Sequence, residues 1–200
     1  MILKVNVLFC GLLGSGKTTV SKTIAHKFGA RWNSFGKTVA AIALDRGLAT
    51  DRRQLQALGE DLVRSNPKLL CEKAILQATP STGGVVVVDG LRHKSMLAVI
   101  RAMLAPVPVI CVFVAVNESV RASRLRDRDH ITMEEVKELE MHSTENEVSS
   151  LKAIADFSID NSQSVDLAVS EFVSKLAEQQ AIGRLSRGIG EGAPDAGAEP

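Results

Sequence analysis

The sequence predicts an α/β fold: a parallel sheet with helices on both faces, in three layers, α/β/α. Two observations predict it. Apolar, β-branched runs alternate along the 200 residues with stretches of helical periodicity, the order expected of strand–helix–strand crossovers. Several of those runs are apolar throughout, so the strands they form need cover on both faces. The length suits one domain with a sizeable core.

The elements follow in order. Leu3, Val5 and Val7 alternate with Lys4 and Asn6, and the chain then turns wholly apolar to Cys10, which predicts a buried strand over 2–10. After Lys17, the spacing of Val20, Ile24 and Phe28 predicts a helix that Gly29 stops. Further helices are expected over 35–46, ended by Gly47, over 51–64, and over 67–78, with Asn66 as cap and Pro67 in the first turn. Four valines at 85–88, after a Gly-Gly turn, read as a central parallel strand. A helix over 93–104 and an apolar strand over 108–116 follow, then a helix that Asn117 caps. Thr132 and Glu135 suit a capping box for another short helix. The last strand is expected at 157–159. Val165, Ala168, Val169, Phe172, Val173 and Leu176 then trace one face of a final helix. From about Ile182 the chain turns to Gly, Ala, Pro and Glu. Residues 181–200 are therefore expected to be a disordered tail behind a domain over 1–180.

Bulk composition narrows the partners. A net charge of +1 argues against nucleic acid or an acidic membrane surface. No apolar run is long enough for a membrane span, and Lys4 and Asn6 interrupt the short apolar start, so no signal peptide is expected. Cys10, Cys71 and Cys111 are far apart and set among apolar residues, as buried thiols of a reducing, cytoplasmic compartment would be. The four histidines show no metal-ligand spacing.

One segment carries explicit chemistry. Gly11-Leu12-Leu13-Gly14-Ser15-Gly16-Lys17-Thr18 satisfies GxxxxGK[ST] between a predicted strand and a predicted helix. Glycines let the backbone curl until successive N–H groups face phosphate oxygens, and the helix start adds its positive end. Lys17 is expected on the β- and γ-phosphates, and the Thr18 hydroxyl on magnesium. The expected ligand is ATP with Mg2+, and the fold that of a P-loop NTPase, which implies a five-stranded parallel sheet between the helix layers.

Two more features suggest what happens to the phosphate. Asp89 ends the valine strand, where open α/β sheets place ligands; it can hold the magnesium shell or orient an acceptor hydroxyl. Arg92 follows within one turn and could grip an anionic acceptor. Arg121, Arg124 and Arg128 fall on one helical face, beside Arg126, where cations could neutralise a moving phosphoryl group. A strand-end turn with a solvated Arg92, and a merely solvated basic face, are the alternatives.

These residues resemble the nucleoside monophosphate kinase branch of the P-loop phosphotransferases, which includes adenylate kinase, with dephospho-CoA kinase as a related fold. The loop resembles their GxxGSGK[ST]T form through Thr19. Asp89-Gly90-Leu91-Arg92 is similar to an Asp-Gly-Phe-Pro-Arg element, one residue shorter, and the resemblance implies that Arg92 contacts an acceptor phosphate. Residues 124–128 resemble the arginine pair that opens the lid, which implies adenine packing for Arg124 and phosphate contact for Arg128. Residues 155–161 are similar to the final strand and turn of dephospho-CoA kinase-like proteins, which implies that Asn161 lies near the adenine. Ser34-Phe35-Gly36 resembles an acceptor-binding Ser-Thr-Gly, which implies a contact from Ser34 and Gly36. There the pattern departs: Lys37 stands where an acidic residue is usual and Ala40 where an arginine is. Arg46, Arg52 or Arg53 could supply the missing charge, with Arg52 the choice among them.

The expected activity is transfer of the ATP γ-phosphoryl group to a small acceptor, a nucleoside or deoxynucleoside monophosphate. Residues 35–78 would be the acceptor-binding flap and 124–145 the lid, in a monomer or homodimer. The alternatives are dephospho-CoA kinase or another small-molecule kinase, and a nucleotide-regulated ATPase switch. The stretch 142–145 is either functional or a helix cap, since Thr144 and Glu147 suit a capping box.

Overall fold

Strand β1 (Asn6–Cys10) is buried at every position and sends alternate side chains to opposite faces of the sheet. Val7 and Phe9 enter one apolar layer, Leu8 and Cys10 the other. The same parity runs through β3 (Val86–Leu91) and β4 (Val109–Ala115): Val87, Val112 and Val114 join the first layer, and Val86, Val88, Cys111 and Phe113 the second. With β2 (Arg31–Ser34) and β5 (Phe157–Asp160) they form a five-stranded sheet of order β2-β3-β1-β4-β5. All of its pairings are parallel. This is the α/β architecture the periodicity predicts. The computed structural model describes residues 5–78, 85–129 and 143–188, without the side chains of 128–129, 143–146, 182 and 184–188.

Helices α1 (Lys17–Lys27) and α8 (Val165–Gly188) cover the first layer. There Phe172 is wholly buried, with ring centroids about 6 Å from Phe9, Phe28 and Phe157. Truncating such a ring costs ~3–5 kcal/mol. The second layer is covered by α2 (Phe35–Asp45), α3 (Arg52–Ser65), α4 (Pro67–Ala78), α5 (Lys94–Leu104) and α7 (Ser143–Leu151). Helix α6 (Glu118–Asp129) follows β4. Side chains cap several starts: Ser34 Oγ accepts from Lys37 N at 3.2 Å, Asp51 Oδ1 from Gln54 N, and Asn66 Oδ1 from Leu69 N, both at 3.1 Å. Helix α1 differs, because its cap is Gly16 and no side chain satisfies its first amides. That end is open to an anion.

Two expectations need correction. The sequence does not reveal β2, because Arg31-Trp32-Asn33-Ser34 is a short polar edge strand that pairs with β3 alone. Its buried Asn33 is tolerated because Nδ2 donates to Ala74 O, Thr38 Oγ1 and Gln77 Oε1 within 3.1 Å. The expected disordered tail from 181 begins too early, since α8 continues to Gly188. Ala181 and Leu185 are good helix formers, and extending an existing helix avoids the cost of nucleation. Residues 189–200, the short helix expected at Thr132, and most of the expected lid lie outside the described residues. All three cysteines are buried free thiols. Among the described residues no helix is long and apolar enough to cross a membrane.

Candidate phosphate and acceptor site

The glycine-rich loop leaves the carboxyl end of β1, the central strand, where the chain later crosses from one half of the sheet to the other. Its shape requires glycine at two ends. Gly11 has φ +150°, and a Cβ there would stand 2.7 Å from the Val114 carbonyl oxygen of β4. Gly16 has φ +77°, and a Cβ there would run into the Asn161 amide nitrogen. Neighbouring elements therefore press directly on the loop backbone. Asn161 Nδ2 donates to Ser15 O at 2.8 Å, while Arg124 donates to Ser15 O at 3.4 Å and to Asn161 O at 2.9 Å. Arg124 from α6 and Asn161 from the turn after β5 thus clamp the loop together. Beside the clamp lies an open cleft lined by Gly14, Gly16, Thr19, Arg124, Asp127 and Asn161, among others. The resemblance had set Arg124 and Asn161 against an adenine; the structure brings both to that cleft.

Lys17 is the first residue of α1, and its Nζ donates to Leu12 O at 3.2 Å. Thr18 is solvent-exposed, and its hydroxyl donates to Asp89 Oδ2 at 2.5 Å. Asp89 is nearly inaccessible in β3, and its other oxygen, Oδ1, has no hydrogen-bond partner. Burial pushes its carboxyl above the usual carboxylate range, against the opposing pull of the Lys17 charge, the Thr18 hydroxyl, the Gly90 amide and the Arg92 charge. A buried carboxylate with one orphan oxygen, next to an exposed hydroxyl, is the donor set a hard divalent cation takes. Thr18 and Asp89 therefore fit Mg2+. Ser15 Oγ is also buried without a partner.

A cavity of about 440 Å3 opens beside Asp89, beginning at Gly90. Gly90, Leu91, Arg92 and His93 form one wall, α2 contributes Phe35, Gly36 and Val39, and α3 contributes Arg52, Leu55, Gln56, Gly59, Glu60 and Val63. Of the expected acceptor residues, Gly36, Arg52 and Arg92 line it; Ser34 does not, because its hydroxyl caps α2. Arg46 and Arg53 lie outside its lining. Sequence reasoning reached α3 through the expected flap over 35–78 and Arg52, but missed Leu55, Gln56, Gly59, Glu60 and Val63 along it, and His93. The spacing of Arg52, Gln56 and Glu60 and of Leu55, Gly59 and Val63, each four apart, was the available signal. The basic face also divides. Arg121 is buried under Gly14, Arg124 meets the loop, Arg126 is exposed, and the Arg128 side chain lies outside the described residues. The Glu147 carboxylate contacts His93 Nδ1 at 2.6 Å and the Lys94 amide at 3.2 Å; the Thr144 side chain, its expected capping partner, lies outside the described residues.

Comparison with known proteins gives a family and a fold. Residues 10–140 match the family described as an AAA domain. That is more than half of the chain, so the protein belongs to this family. No curated protein sequence matches it. Similar solved structures include a shikimate kinase from Aquifex aeolicus vf5, at 17% identity and TM-score 0.56, covering 90% of this chain and 99% of that one. A gluconokinase from Sinorhizobium meliloti 1021 aligns at 18% identity and TM-score 0.51 over 92% and 99%. An uncharacterized protein from Eubacterium ventriosum ATCC 27560 aligns at 14% and 0.54 over 86% and 98%. At these identities the likeness establishes the shared α/β fold.

Proposed function

From membership in the AAA-domain family and the geometry around Asp89, we propose that the chain is a phosphotransferase. It would move the γ-phosphoryl group of ATP to a small acceptor, a nucleoside or deoxynucleoside monophosphate. The observation that carries this reading is the position of Asp89, with an orphan oxygen in the phosphate site and a large cavity starting at the next residue. A hydrolytic switch needs the loop and the metal but has no use for such a cavity. Two of the structures sharing the fold are titled as kinases, which agrees.

The chemistry is mostly positioning and charge neutralisation. The open amides of α1 and the loop hold the polyphosphate. Lys17 exchanges the Leu12 carbonyl for phosphate oxygens, and Arg124 stays close enough to bridge nucleotide and loop. Thr18 and Asp89 would hold Mg2+, which would supply Lewis-acid polarisation of the phosphoryl oxygens. Arg92 and Arg52 face the anionic part of the acceptor, while Phe35, Val39 and Leu55 enclose an apolar ring. Arg128 is proposed as a further phosphate contact on the strength of the family resemblance. The protein would act in the cytoplasm as a monomer or homodimer. Incubation with ATP and Mg2+ and a panel of nucleoside monophosphates plus dephospho-CoA tests the reading. Acceptor-stimulated ADP formation is expected; slow hydrolysis indifferent to every acceptor would favour the switch.

A further inference from the structure

His93 lines the cavity beside Arg92, yet nothing in phosphate binding uses it. Its ring is held in place. Nδ1 lies 2.6 Å from Glu147 Oε2, and Oε1 of the same carboxylate accepts the Lys94 N–H at 3.2 Å. With both oxygens engaged, Glu147 is fixed on α7, and it fixes the imidazole across 54 residues of sequence. A carboxylate can only accept hydrogen bonds, so Nδ1 carries the shared proton, and the neutral form of the ring then has its lone pair on Nε2. Nε2 has no hydrogen-bond partner among the described residues. Capping α5 alone would need one carboxylate oxygen on the Lys94 amide and no histidine. His93 occupies the cap position without donating or accepting a side-chain cap bond itself. A carboxylate-set imidazole in the wall of a cavity is an arrangement for one directed hydrogen bond.

Resting on the reading of this cavity as the acceptor site, we infer that His93 selects acceptors that carry a hydroxyl. Nε2 accepts a hydrogen bond from that hydroxyl while Arg92 faces the anionic group, and Glu147 is the positioning residue that sets the ring. The step is recognition, with no proton transferred. A polar group built to meet a hydroxyl rejects the analogue that lacks it, because the site's own group is then left unpaired.

Two readouts test this. Nitrogen-15 spectra of the histidine rings in the full chain should show His93 as the Nδ1–H tautomer, with that signature lost in Glu147→Ala. With ATP and Mg2+ present, AMP should move the His93 signals more than 2′,3′-dideoxy-AMP does. In steady state, AMP should have a KM roughly tenfold or more below that of the dideoxy analogue. His93→Phe should abolish that preference and leave the KM for ATP unchanged. His93→Gln, whose amide oxygen can still accept, should recover part of it. An Nε2–H tautomer, ring signals that no nucleotide moves, or a hydroxyl preference that survives in His93→Phe would each overturn the inference. Absence of acceptor-stimulated ADP formation is a separate failure, that of the kinase reading, and the tautomer measurement is independent of it.

Discussion

The proposed phosphate cradle and the proposed acceptor cavity meet at Asp89 and Gly90, and they are built in opposite ways. In the proposed function the cradle is eight consecutive residues whose backbone would do the binding, so its chemistry is written in local spacing. The cavity draws its walls from α2, α3 and the start of α5, and one wall residue is oriented by Glu147. Its chemistry exists only after the sheet and helices have assembled. Substitutions in the cradle should therefore abolish turnover with every acceptor, whereas substitutions in the cavity should redistribute acceptor preference and leave ATP binding alone.

The largest effect is expected on the cradle side. Lys17→Ala should lower phosphoryl transfer by about 10²–10³-fold or more with an unchanged circular dichroism spectrum; near-normal turnover would break the comparison at its root. Asp89→Asn comes next and should act with two signs. Burial favours the protonated carboxyl in the folded state. Its stabilising contribution is therefore complete below the ordinary carboxylate pKa and is lost as pH rises through the raised folded value. The wild-type protein without nucleotide should lose melting temperature over that rise more steeply than the variant. At neutral pH, Asn should raise thermal stability while removing magnesium-dependent transfer. A variant less stable than wild type at pH 7 would mean that the buried carboxylate is better compensated than its orphan oxygen indicates.

Gly16→Ala should destabilise the fold by about 1–2 kcal/mol from the left-handed backbone alone, with a further loss from displacing Asn161. Chemical denaturation measures it, and a loss no larger than the backbone share would show that the Asn161–Arg124 clamp gives way freely. The smallest effect lies in the cavity. Gly59 sits within α3, and a Cβ there would make ordinary contact, 3.7 Å from Val39 Cγ2. Gly59→Ala should stabilise by about 1 kcal/mol through helix propensity, shift acceptor KM by a few-fold, and leave ATP binding as it was. A change in ATP affinity instead would mean that the two regions are not separable.

The same contrast explains what the sequence discloses. Residues 11–18 and Asp89 are legible because a spacing and a strand end announce them, and the layered fold follows from apolar runs at Leu8, Val87 and Val112. Strand β2 is hidden because an edge strand with Asn33 satisfied by α4 needs no apolar pattern. The role of Ser34 is misread because a hydroxyl before a helix serves equally as cap or ligand, and local sequence does not separate the two. His93 and Glu147 are beyond reach for a different reason, since only the packing of α7 against the start of α5 brings them together.

The central claim is that the open amides before α1, with Lys17, hold a metal-bound nucleotide polyphosphate. Isothermal titration of ATP with Mg2+ into the wild-type protein and into Lys17→Ala measures it most directly. Saturable uptake is expected of the wild type, and a severe loss of the variant. No heat from the wild type, or equal affinity in both, would contradict it.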